Sequence, residues 1–399
     1  MTERTLERRL RTLEAPDEGD AALRALEIAA AEFERLDRAP ARRRRPMRRG
    51  LVLVAAALCV AAVAISPAGA KVVRWVGDRF SSPGVKHARP ALVSLPAPGR
   101  LLVSSRDGTW IVNRDGSKRL LGPYRDAVWS PHGLFVAGVR DHSLVAVDPR
   151  GRLHWTVTRS PRPRLPSWSP GNGFRVAYLS GASLRVVAGD GTGDRPLAKR
   201  VQPVAPAWRP GAGYVLSYVV GRGHVRTVDA ETRRSLWRST ALPYPPFALQ
   251  WSSDGSQLLA VGTRSLALLD RTTGAVRKRL LPGSGMHFLD ARLSPDGRNV
   301  ALARYDDSAG RSDVVLLSAH ARRWHVRHVF EGAGRFGAVR WSPDGRWLLL
   351  TWRDADQWLF LRSAAVRGLV AVRGIGRTFE PDRRGPARFP SAGGWCCAP

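Results

Sequence analysis

From about residue 92 onward, short apolar runs alternate with tight polar turns, and the runs recur in groups of four. Residues 338–362 show the group most clearly. Val339 and Trp341 alternate with polar neighbours and predict a strand. Ser342-Pro343-Asp344-Gly345 then predicts a tight turn, because Pro presets φ and Asp and Gly suit the later positions. Trp347-Leu348-Leu349-Leu350 predicts a second strand, apolar throughout, as a strand covered on both faces must be. Trp358-Leu359-Phe360-Leu361 predicts a third. Elsewhere the third strand closes on an aspartate, as in the runs ending at Asp148, Asp229 and Asp270. A more polar fourth strand follows, such as 275–280.

The groups share a phase. Six units carry Trp-Ser-Pro-Asp-Gly or a degenerate copy, starting at Trp129, Trp168, Trp208, Trp251, Leu293 and Trp341. Successive steps are 39, 40, 43, 42 and 48 residues. A period near forty with four short strands per unit predicts an all-β fold, a β-propeller with one blade per repeat. Residues 100–121 hold three strands with no turn motif before them. Gly394-Trp395 near the C-terminus supplies the missing strand, with Trp395 at the repeat position. The expectation is seven blades over 92–399, the first stitched from both ends of this domain. The alternative is six blades and a frayed fragment. Trp129, Trp168, Trp208, Trp251, Leu293, Trp341 and Trp395 are read as structural repeat residues. These units resemble the WD40-like repeats of TolB-type propellers over roughly 92–397. The resemblance implies the fold, while the extra N-terminal domain of TolB-type proteins has no counterpart here.

The N-terminal quarter follows a different pattern. Leu6, Leu10 and Leu13 share one helical face. Asp20 suits an N-cap for a second helix whose stripe includes Leu23, Leu26, Phe33 and Leu36. That stripe is the candidate docking surface for a cytoplasmic protein, and a weakly ordered tail is the alternative. Residues 50–70 carry no charge, and Arg42-Arg43-Arg44-Arg45 with Arg48-Arg49 lies just before them. Twenty residues of helix span about 30 Å, the thickness of a bilayer core. The positive-inside rule then places 1–49 in the cytoplasm, a transmembrane helix at 50–70, a juxtamembrane linker at 71–91 and the propeller outside the cell membrane. The competing reading is a signal peptide cleaved after Ala68-Gly69-Ala70, which would release a secreted propeller. The layout is similar to that of transmembrane anti-sigma factors, although residues 1–49 contain neither the His nor the Cys of a zinc motif.

The net charge is +31, nearly all of it from arginine, since only five of the 64 basic residues are lysine. Such a field attracts anionic polymers, lipid headgroups or acidic proteins. Nucleic acid is not expected, because the topology places the propeller outside. Chemistry is sparse. Cys59 lies in the apolar run, and Cys396 and Cys397 are adjacent, either a vicinal disulfide or two tail thiols. His320, His325 and His328 do not share a strand face, so no metal is expected. Gly283-Ser284-Gly285 lacks the spacing of a nucleophile elbow, and Asp148, Asp229 and Asp270 occupy equivalent turn positions that suit capping. No catalytic residue and no cofactor is expected. The reading is a non-catalytic binding or sensing module, with an extracytoplasmic propeller-type lyase or glycosidase as the alternative.

Overall fold

The computed structural model describes residues 94–397, except 172–173, 212, 322, 365–367 and 382–384. The proposed cytoplasmic segment, transmembrane helix, linker and Leu23–Leu36 stripe all lie outside the described residues. Among the described residues, no helix is long and apolar enough to cross a membrane.

The described chain forms seven four-stranded antiparallel sheets. In chain order the inner strands of blades 2 to 7 are Arg125–Trp129, Pro163–Trp168, Ala207–Trp208, Ala248–Trp251, Met286–Leu293 and Phe336–Trp341. Blade 1 takes its inner strand, Ser391–Cys396, from the far end of the domain. That strand pairs with Arg100–Ser104, setting Leu101 opposite Trp395. Each inner strand neighbours the inner strand of the next blade, and Ser391–Cys396 joins blade 7 to blade 2. The ring is closed with seven blades, so no sheet edge is left open by a missing neighbour.

The turn motif works as its chemistry demands. In blade 7 the Ser342 N–H donates to Trp347 O at 2.8 Å, and the Trp347 N–H returns to Ser342 Oγ at 2.9 Å. Asp344 Oδ1 accepts from the Ser342 hydroxyl and from the Arg346 N–H. Gly345 takes φ +68°, a left-handed conformation that costs glycine nothing. Ser252 and Ser294 repeat the arrangement with Asp254 and Asp296.

The core is distributed as seven apolar layers, each between two neighbouring blades. This is why second and third strands are apolar on both faces: Leu348, Leu349, Leu350, Trp358 and Phe360 are all inaccessible to solvent. The layer between blades 7 and 1 also takes in the short helix Ile375–Phe379, whose Ile375 and Phe379 are fully buried. The pattern did not foretell that helix, because five residues are too few for a periodic signal.

Candidate functional site: an arginine-lined basin beside the inner-strand ring

The seven repeat residues lie at the ends of the inner strands and are between 2% and 9% exposed. Their indoles dock backward. Trp208 Nε1 donates to Ser167 O of blade 3 at 3.0 Å, and Trp341 Nε1 to Arg292 O of blade 6 at 2.9 Å. Trp251 Nε1 reaches Ser217 Oγ of blade 4 at 3.1 Å, and Trp395 Nε1 reaches Pro98 O at 3.1 Å. The indole N–H groups of Trp129 and Trp168 are buried without a partner among the described residues. Asp148, Asp229 and Asp270 each accept two backbone N–H bonds within their own turns. The Thr273 and Thr272 N–H groups, helped by Arg277, hold the Asp270 carboxyl down to about 2.

Inner strands do not pair with one another, so the backbone groups on their free edges need other partners. Side chains of the preceding blade supply them. Asp126 Oδ2 accepts the Leu165 N–H at 3.1 Å, and Gln250 bonds both backbone groups of Leu293. Asp290 Oδ2 accepts the Val339 N–H at 3.1 Å and Arg340 Nη1 at 2.6 Å, while Arg340 Nε donates to Gly393 O at 2.6 Å. This chain of bonds runs from blade 6 through blade 7 into blade 1. Burial pushes the Asp290 carboxyl up, but the Arg292 and Arg340 guanidinium groups outweigh it and leave it below the usual range. Its acceptor sites are occupied by the scaffold, so it is a stitch rather than a reagent.

On the face where the inner strands begin, blades 1, 2 and 7 and the connection into blade 3 surround a depression of about 980 Å³. Arg106, Arg125, Arg162, Arg353 and Arg388 line it, with Asp141, Asp356 and Phe389. Each arginine is set by local structure. Arg106 sits in the turn closed by Ser105 N–H to Gly108 O at 2.8 Å. Gly108 is required there, since a Cβ would stand 2.1 Å from Gly122 O. Arg125 opens an inner strand, and Arg162 directly precedes one. Arg353 begins the turn closed by Asp356 N–H to its carbonyl at 2.9 Å. The Arg388 N–H is held by Glu380 Oε2 at 3.0 Å. All five side chains are exposed, and none is within ion-pair distance of a carboxylate among the described residues. Asp141, at φ +51°, likewise has no hydrogen-bond or ion-pair partner there. Other arginines of this propeller do find carboxylates: Arg185 and Arg159 share Asp194, and Arg304 pairs with Asp313. The basin arginines went unnoticed in the sequence because they span residues 106 to 388. Two of them share a phase with Asp141, since Arg106, Asp141 and Arg353 all fall in turns between second and third strands.

Next to the basin lies the arrangement nearest to an acid–base pair. His287 Nε2 bonds Asp307 Oδ2, Arg335 Nη2 lies 3.4 Å from Asp307 Oδ1, and the Arg335 N–H donates to Asp354 at 2.8 Å. The other imidazole nitrogen, Nδ1, is shut from solvent without a partner among the described residues. A general base must present a free nitrogen to its substrate, and this ring does not. His328 Nδ1 faces Asp313 at 3.2 Å, and no cluster of three or more metal-ligating groups occurs among the described residues. Cys396 and Cys397 form a vicinal disulfide, with sulfurs against the carbonyls of Ser130 and Pro131 in the blade 2 turn.

No protein-family model matches the sequence, and no curated protein does. Solved structures do resemble the fold. Hydrazine synthase of Kuenenia stuttgartiensis aligns at 16% identity and a TM-score of 0.51, over 69% of this chain and 80% of the other. A chain of the mitotic checkpoint complex aligns at 18% identity and a TM-score of 0.52, over 71% of this chain and 97% of the other. The β-propeller domain of Cps50 (Swd1) from Myceliophteria thermophila aligns at 16% identity and a TM-score of 0.48, over 62% of this chain and 86% of the other. At these identities the likeness concerns architecture, and sites grafted on a shared propeller differ freely. The described residues thus form an all-β, seven-bladed propeller with WD40-like repeats.

Proposed function

We propose that this chain is a non-catalytic binding and sensing module: a TolB-type propeller held outside the cell membrane by residues 50–70, taking an anionic ligand on its surface. The observation that carries the reading is the convergence on one concave basin of five arginines that have no carboxylate partner among the described residues. Like charges gathered without counter-ions repel, and an arriving anion removes that cost. The uncharged run after the Arg42–Arg49 cluster supports the anchor. The stripe of Leu23, Leu26, Phe33 and Leu36 supports a cytoplasmic protein as the partner that hears the signal. Shutting His287 Nδ1 from solvent favours binding over lyase or glycosidase chemistry at the adjacent cluster.

The test is to incubate full-length protein in detergent with polygalacturonate and with a neutral glucan of equal length. Retention of the polyanion alone is expected, weakening steeply as salt is raised. Both polymers should be recovered at their original length. Shortened polygalacturonate would overturn the non-catalytic reading, and equal retention of the neutral glucan would overturn the electrostatic one.

A further inference from the structure

The basin has chemistry that a bare counter-ion does not need. We infer that its ligand is a polyhydroxylated oligoanion, meaning a carbohydrate that carries several carboxylate or phosphate groups on ring hydroxyl scaffolds. This rests on the binding-module reading and narrows it to a ligand class.

Three observations carry the inference. The first is the charge set. All five cations are arginines, whose planar forks bind carboxylate and phosphate in bidentate fashion. They come from separate segments spread over the chain, so they meet spaced anionic groups rather than one. The second is the pair of carboxylates among them. Asp141 accepts nothing among the described residues, although five guanidinium groups line the same depression. Asp356 spends Oδ1 on the Gly376 N–H at 2.7 Å, and among the described residues its carboxylate bonds no basin guanidinium. A purely cationic trap for phosphate chains would be weakened by both aspartates. A ligand with hydroxyl groups uses them, because an ionised carboxylate is an acceptor only and needs donors. The third is shape. A volume of about 980 Å³ is far larger than a single phosphate and lies at the upper end of ligand pockets. Phe389 is half-buried in its wall and packs on the core between blades 7 and 1. Its ring offers a fixed apolar surface for a sugar face beside the charged groups.

The experiment titrates full-length protein with hexagalacturonate, which has hydroxyls and carboxylates, and with short-chain inorganic polyphosphate, which has no hydroxyls. Vesicles carrying a phosphorylated inositol lipid form a third arm and separate a lipid headgroup from a soluble glycan as the source of the same chemistry. The double variant Arg106→Ala/Arg353→Ala should lose about a hundredfold in hexagalacturonate affinity, roughly tenfold for each charged contact. The control Arg233→Ala/Arg234→Ala, in a turn between third and fourth strands of blade 4, should lose far less. Asp141→Asn decides the ligand class, since it removes a negative charge and an obligate acceptor together. Polyphosphate should then bind more tightly and hexagalacturonate more weakly. If Asp141→Asn tightens both ligands alike, the carbohydrate inference fails while anion binding stands. If the arginine variant and its control lose equally, the basin is not the site. If wild-type protein binds no anion, this inference and the binding-module reading fall together.

Discussion

Trp341 shows what one repeat residue is asked to do. Its ring is 8% exposed and its N–H donates to Arg292 O on the neighbouring blade, so removing it opens a cavity and breaks that bond at once. Trp341→Ala should destabilise the domain by about 3–5 kcal/mol, read by denaturant unfolding. Trp341→Phe keeps most of the volume and loses the hydrogen bond, so its cost should be nearer 1 kcal/mol. Unfolding midpoints equal to wild type for both variants would refute the blade-docking account. Leu293 stands at the same phase without a donor, and its backbone is bonded by Gln250 from the blade before. The residue type was plain from the spacing, whereas the direction of docking was not, because it depends on how adjacent blades twist.

The strand Ser391–Cys396 is the element that turns a row of sheets into a ring. It covers the free edge of Arg100–Ser104 and puts Ala392 and Trp395 into the layer shared with blade 7. The connection leading to it is secured as well, with Lys118 Nζ bonded to Thr378 O and stacked 5.4 Å from the Phe379 ring. Deleting 391–399 should therefore weaken the whole domain rather than fray one end. Hydrogen exchange is expected to show Leu101–Val103 losing protection together with the inner strands of blades 2 and 7. Protection lost in blade 1 alone, with an unchanged melting curve, would mean that the ring does not need its closing strand. The missing repeat before residue 100 and the spare Trp395 announced this pairing in the sequence. The bulge between Leu101 and Val103 was beyond its reach, because a bulge is set by sheet curvature.

For the molecule as a whole, charge and topology make one argument. A net charge of +31 serves an anion-binding surface best when that surface faces anionic envelope components. Protease protection of intact cells or right-side-out vesicles should leave residues 1–40 shielded and expose the propeller to digestion or surface labelling. Mature protein in the medium beginning at Lys71 would replace the anchored reading with secretion. On the proposed topology, a leucine stripe disrupted by Leu26→Asp and Phe33→Asp would belong to the shielded side, and the propeller's melting curve should not respond to it.

The sequence alone determined the architecture, because a blade is a local object. Its turn, its apolar strands and its Trp lie within about forty residues, and the same local solution is written six times over. It also determined that Asp148, Asp229 and Asp270 are turn caps, since equivalent phase implies equivalent work. Only the tertiary structure decided what the ring brings together. Arg106, Arg162 and Arg353 are separated by scores of residues and share a basin because closure sets blade 1 between blades 7 and 2. Asp290 and Arg340 become a stitch because inner strands leave unpaired edges that their neighbours must satisfy. Repetition encodes the scaffold in local pattern, whereas the site arises from non-local distances that no local pattern carries.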